Sequence, residues 1–220
     1  MWRLFTGSTG AAPAFDDGCG SRGSWARHRC GRSRVVAWAA CCWSWRGSPR
    51  TREPSGQVEG LVRAGADEII VWDGHGGSNS IDIAALHPAA SLATLGSPIL
   101  QINLLDASYD AAIQLGAHAF QGADNAYLNH TFWSHGTAGM WLNGKRIGEI
   151  GMHTLLAAYF RVPMILVSGD QAACDEAKDF IGKKVETVST KKAISRYTAI
   201  NKNPLSVRRM LTEKTEQALK

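Results

Sequence analysis

Residues Ile69–Asn79 read Ile-Ile-Val-Trp-Asp-Gly-His-Gly-Gly-Ser-Asn, an apolar run that ends abruptly in a polar, glycine-rich turn carrying one histidine. A short β-branched and aromatic run bounded by such a turn predicts a buried strand. Gly74, Gly76 and Gly77 then free the backbone from the usual φ limits just where His75 emerges. In open α/β sheets the loops that follow the strands are where ligands bind. The stretch therefore predicts both a sheet strand and the delivery of His75 to a site.

The surrounding pattern extends this reading. Gln57 to Ala64 has the spacing of a helix end, with Val58, Leu61 and Val62 on one face and Gly65 closing it, directly before a strand from Glu68 to Trp72. Ala89 to Leu95 and Ala111 to Leu115 read as further strands, the second followed by Gly116-Ala117-His118. Asn143-Gly144 between two short strand-like arms is a strong local hairpin signal. Ile150 to Phe160 has helical periodicity, and Val162 to Val167 is an apolar strand stopping at Ser168-Gly169-Asp170. Asp170 or a neighbour is expected to cap a helix running to Phe180. Val185 to Val188 is expected to be the last strand, and Pro204 to Leu219 a polar terminal helix. Strands alternating with helices predict a three-layer α/β fold, a mostly parallel sheet with helices on both faces and a small β-hairpin excursion.

Composition divides the chain. Met1 to Ser55 contains no Lys, Ile, Asn, Gln or Tyr and is rich in Arg, Trp, Gly, Ser, Ala and Cys, whereas from Gly56 onward the composition is that of an ordinary globular protein. Restriction to residues with GC-rich codons is what translation in a foreign frame yields. The expected organisation is therefore an anomalous segment of low order over residues 1–55 and an α/β domain over 56–220. The net charge of +5 belongs largely to that early segment, so it does not argue for a nucleic-acid partner. The longest apolar candidate for a membrane span, Val35 to Trp45, is far shorter than the ~20 residues needed and is flanked by arginines. Cys41 and Cys42 are adjacent and no Cys-x-x-Cys pair occurs, which argues against a zinc finger or disulfide framework and for a reducing, cytoplasmic setting.

Four residues could carry chemistry: His75 and His118, each just past a strand, His130 in Leu128-Asn129-His130-Thr131, and Glu149 at the start of a helix. Histidines and a carboxylate are a sufficient set for zinc, whose catalytic sites keep an open position for water. Spacing alone leaves the polar-loop alternative open for each. The glycine turn is neither Gly-x-Gly-x-x-Gly nor a Walker loop, and no Gly-x-Ser-x-Gly elbow occurs, so nucleotide binding and serine hydrolysis are disfavoured. His87 and His153 read as structural. Trp72, Trp133 and Trp141 could line a pocket, with core packing the plainer use of each.

The turn Asp73 to Asn79 resembles two zinc amidohydrolase families, the creatininases and the D-aminopeptidases associated with dipeptide transport. Gly116-Ala117-His118-Ala119, Asn129-His130-Thr131, Leu142-Asn143-Gly144 with Gly148-Glu149-Ile150-Gly151, Val167-Ser168-Gly169-Asp170 and Lys191 to Tyr197 resemble the second, in order. That resemblance spans about Gly56 to Pro204. It implies a zinc metallopeptidase with two ions that removes N-terminal residues, typically D-amino acids, from short peptides and assembles into homo-oligomers. It implies His75, His118 and Glu149 as metal ligands and His130 as the residue acting on the reacting centre. Alternatives are a catalytically dead oligomeric member that binds peptides and a creatininase-like amidohydrolase. The family's first strand ends in Asp-x-Glu-Gly, and nothing similar precedes Gly56. The first strand and its two metal carboxylates are therefore expected to be missing.

Overall fold

A computed structural model describes residues 33–39, 52–74, 80–94 and 104–220. Its centre is a sheet of seven strands flanked by helices on both faces, the α/β architecture that the alternating pattern predicts. The strands are β1 (Arg34–Ala39), β2 (Glu68–Asp73), β3 (Ala90–Thr94), β4 (Ala111–Ala117), β7 (Met164–Asp170), β8 (Glu186–Ser195) and β9 (Thr198–Asn201), arranged β3-β2-β1-β4-β7-β8-β9. All pairs are parallel except β8 with β9. The excursion at Asn143-Gly144 is a separate antiparallel ribbon of β5 (Met140–Leu142) and β6 (Lys145–Ile147). Asn143 and Gly144 both take positive φ, 51° and 78°, the backbone that a two-residue hairpin turn requires.

The helices are α1 (Arg52–Arg63), α2 (Glu149–Tyr159), α3 (Gln171–Ile181) and α4 (Pro204–Leu219). Helices α1 and α4 pair on one face of the sheet, over a core that includes Val35, Val58, Leu61, Ile113, Leu166 and Leu211. They approach closely because α1 carries small residues there: a Cβ on Gly60 would overlap the Thr212 carbonyl oxygen, and Thr212 Oγ1 donates to Gly56 O at 2.8 Å. Helices α2 and α3 cover the other face, over Trp38, Trp72, Ala112, Ile150, Val167 and Ala177. Asp170 caps α3 as expected, its side chain accepting from Ala173 N at 2.8 Å.

Two expectations are corrected. The first strand is not missing: Arg34–Ala39 forms β1, in register with β2 on one side and β4 on the other. Val35, Val36, Ala37, Trp38 and Ala39 are all at most 1% exposed, and burial on both faces favours a continuous apolar run over alternation. Compositional oddity masked a run whose hydrophobicity suffices for a central strand. Along the other edge, the strand expected over Val185 to Val188 extends to Ser195 and turns back as β9. Residues 1–32 and 40–51 lie outside the described residues.

Chain order locates the natural crevice. From β1 the chain moves outward through β2 to β3, then returns to place β4 on the opposite side of β1. The order reverses between β1 and β4, and the space beyond their C-terminal ends is where such sheets bind ligands.

Candidate metal centre

His118 follows β4 immediately and so enters the crevice beside this reversal. Glu149 opens α2, and His130 lies in the long loop between them. Each offers a ligand atom, and these atoms all lie within 4.8 Å of one another. His118 Nε2 is 3.4 Å from Glu149 Oε1, and the imidazoles of His118 and His130 stack with centroids 3.7 Å apart. His75 falls in the segment 75–79, outside the described residues.

Hydrogen bonds fix which nitrogen each histidine presents. His118 Nδ1 faces Ala119 O at 3.2 Å and His130 Nδ1 faces Leu128 O at 2.7 Å. A carbonyl oxygen only accepts, so each Nδ1 carries a proton and donates it. In the neutral ring Nε2 then keeps its lone pair, the arrangement found around metal-binding histidines. His118 Nε2 and a carboxylate oxygen at 3.4 Å therefore require a cation to share, either a proton or a metal ion. Two ligands of one tetrahedral zinc ion keep about 3.4 Å between them, given bond lengths of roughly 2.1 Å. The donor set fits zinc, and so does the His118–Glu149 spacing.

Glu149 is held ionised. Burial works against its charge, but hydrogen bonding and charge from His118, together with the Phe132 N–H, outweigh burial and hold the carboxyl at about 2. The Phe132 N–H donates to Glu149 Oε1 at 2.7 Å. Phe132 adopts φ 56° to do this, a sterically unfavourable backbone for a bulky residue. Leu128 and Asn125 in the same loop also have positive φ, 51° and 49°. Such clustered strain persists only where the surroundings fix the backbone.

Side chains provide that fixing. Asn129 accepts from Gly122 N at 2.9 Å and donates to Ala126 O at 2.9 Å, pinning the turn that precedes His130. Thr131 Oγ1 accepts from Gln121 N at 3.1 Å. Asp170 caps α3 with one oxygen and with the other accepts from Tyr127 N at 2.6 Å. Leu128 N donates to Arg196 O at 2.7 Å, which ties the loop to the β8–β9 turn. Arg146 lies over the rings of Phe120 and Trp141 and donates to the carbonyls of Gln121 and Ala138. Apart from the Asp170 cap, these supports were not legible in the sequence, because they depend on how the loop folds rather than on a local pattern.

A family profile described as D-aminopeptidase matches residues 48–220. The chain belongs to the D-aminopeptidase family. A D-aminopeptidase of Bacillus subtilis is 31% identical over 170 residues, which are 77% of this chain and 61% of that relative. The chain thus spans about three-fifths of the curated relative's length. A solved structure described as a zinc-dependent D-aminopeptidase from Bacillus subtilis, a self-compartmentalizing protease, superposes with a TM-score of 0.77 at 28% identity, covering 84% of this chain and 73% of that one. This D-aminopeptidase match includes all four singled-out positions, His75, His118, His130 and Glu149, while β1 at 34–39 precedes it.

Other sequence readings fare differently around this centre. His153 is buried and stacks on Trp38 at 5.3 Å, and its burial pushes its pKa down to about 4 against the opposing pull of Glu149. His87 Nε2 lies 3.2 Å from Glu59 Oε2 and its Nδ1 accepts from Ala89 N, a packing role. Trp72 is core, whereas Trp133 and Trp141 are 66% and 61% exposed.

Proposed function

We propose that this chain is a zinc-dependent aminopeptidase that removes N-terminal residues, D-amino acids among them, from short peptides. The observation that carries the reading is the convergence of His118, His130 and Glu149 at the sheet's switch point, with donor atoms within 4.8 Å, in a chain of the D-aminopeptidase family. His118 and Glu149, with His75 assigned from the sequence, hold the metal, and His130 acts on the reacting centre. When bound, zinc supplies an acidified water and a polarised carbonyl.

The chain's own groups do the remainder. Glu149 contributes a fixed negative charge because the Phe132 N–H holds its Oε1. His130 donates its Nδ1–H to Leu128 O, so its Nε2 is the atom that accepts a proton from attacking water and returns it to the departing amine. A self-compartmentalizing relative and the exposed rings of Trp133, Trp141, Tyr159 and Tyr197 support a homo-oligomer. The buried free thiol of Cys174 accords with a cytoplasmic setting.

One observation favours a second reading, a peptide-binding member without turnover. The C-terminal half of β1, Ala37-Trp38-Ala39, lies beside β4 and carries no carboxylate toward the centre. Its odd composition also supports reading the residues before the family match, which begins at 48, as sequence from another frame, with β1 filling the first strand's place by hydrophobicity alone. Coding DNA that yields an Asp-x-Glu-Gly strand in a second frame is the expected finding.

Incubating the purified chain with zinc and a D-Ala dipeptide separates the two readings. Release of D-alanine is expected. Peptide binding without release favours the second reading, and a chain that neither cleaves nor binds the peptide sinks both.

A further inference from the structure

Helix α3 is amphipathic, and its inward face carries Ala173, Cys174 and Ala177, all buried. One residue on that side is charged. Glu176 follows Ala173 by three positions and precedes Ala177, so its carboxylate is directed among the loops above the sheet. It accepts from Phe120 N at 2.7 Å through Oε2, and its other oxygen, Oε1, is buried beside Gly148. Phe120 is the second residue after His118, and Gly148 is the residue before Glu149.

The fit around these atoms is tight. A Cβ on Gly148 would lie 2.9 Å from Glu176 Oε1 and 2.9 Å from the Cα of Phe120. Gly148 is also the N-cap of α2, and as glycine it offers no side-chain cap. The chain leaving β4 is thus hydrogen-bonded to a carboxylate that also packs against the start of α2 and belongs to neither element. We infer that Glu176 is a positioning residue of the metal centre: by holding the Phe120 N–H with one oxygen and packing the other against Gly148 it sets the spacing between His118 and Glu149.

This rests on the metal reading above. Its physical basis is that a metal site tolerates only small displacements, on the order of 0.5 Å, so the groups that orient ligands contribute to affinity nearly as the ligands do. Glu176 touches neither the ligands nor substrate. Its effect is therefore on metal affinity, through His118 and Glu149, and the conservative amide, which keeps an accepting oxygen, preserves most of it.

The test is zinc affinity at neutral pH by competition against a chromogenic chelator, with circular dichroism on each sample. Wild type is compared with Glu176→Ala, Glu176→Gln, Gly148→Ala and, as a control on the same helix face, Ala177→Gly. Glu176→Ala is expected to weaken zinc by about ten- to hundredfold. Glu176→Gln should remain within about threefold of wild type, because one accepting oxygen persists. Gly148→Ala, whose Cβ would press on Glu176 Oε1 and Phe120 from the other side, should also weaken zinc about tenfold or more. Ala177→Gly should lower melting temperature and leave zinc affinity unchanged. Zinc bound by folded Glu176→Ala as tightly as by wild type overturns the inference alone. If Glu176→Ala does not fold, Gly148→Ala decides by the same measure, and unchanged affinity there overturns it. A wild-type chain with no measurable zinc affinity overturns the functional reading, and this inference with it.

Discussion

His118 Nε2 stands 3.4 Å from Glu149 Oε1, although one residue ends the excursion of β4 and the other begins α2. Both face the same point at the sheet's switch, and the His118 ring is oriented by its bond to Ala119 O. This pairing makes Glu149→Gln the sharpest probe of the centre. The amide keeps the shape but removes the charge, so zinc affinity should fall by about a hundredfold or more. Saturating zinc should likewise stabilise wild type, by about 2.7 kcal/mol at a hundred times Kd, and the variant far less at the same concentration. Thermal denaturation with and without zinc reads both effects.

His153 predicts acid sensitivity in the metal-free protein. Its folded pKa is depressed from 6.5 to about 4, so the unfolded chain takes up the proton first. The contribution is fully present above about 6.5 and is lost as pH falls toward 4, by at most about 3 kcal/mol. His153→Phe keeps a ring against Trp38 and removes the titration. Urea unfolding across this window should show a flatter dependence in the variant, and identical slopes would discard the assignment.

Glu176 predicts the opposite slope. Burial raises its folded pKa from 4.5 to about 7, so the unfolded chain loses the proton first and stability falls as pH rises between those values. Glu176→Gln mimics the protonated form at every pH. It should be more stable than wild type above neutrality, by about 2 kcal/mol, and nearly equal to it at pH about 4. Urea midpoints at the two pH values check this.

Gly169 lies in β7 against β4, one residue before the Asp170 cap. A Cβ there would overlap the Ala117 carbonyl oxygen and lie 2.9 Å from the Ala173 Cβ. Because the obstacle is backbone, Gly169→Ala should cost about 3 kcal/mol or more and move the residue before His118. Denaturant midpoints measure the first effect and zinc affinity the second.

Periodicity made much of this fold legible. The apolar runs at Ile69, Ala111 and Val162 fall on β2, β4 and β7, Pro204–Leu219 forms α4, and Asn143-Gly144 forms the expected turn. His118 and Glu149 were visible because each sits at the end of an element, where local pattern and site coincide. Arg34–Ala39 was obscured because a strand buried on both faces has no alternation to set against its unusual composition. The support of the centre was obscured for a different reason: Glu176 reaches Phe120, and Asp170 reaches Tyr127, across the fold. Each left a local trace, Glu176 as an acid on the apolar side of an amphipathic helix and Asp170 as an N-cap, but neither trace names the distant partner.

The most direct test of the account is the zinc content of the purified chain after dialysis against trace zinc, measured by mass spectrometry beside His118→Ala. Stoichiometric zinc is expected on the wild-type chain, and its loss from His118→Ala while the fold is retained. Wild-type protein that is folded and free of zinc, or a His118→Ala variant that holds as much zinc as wild type, would contradict it.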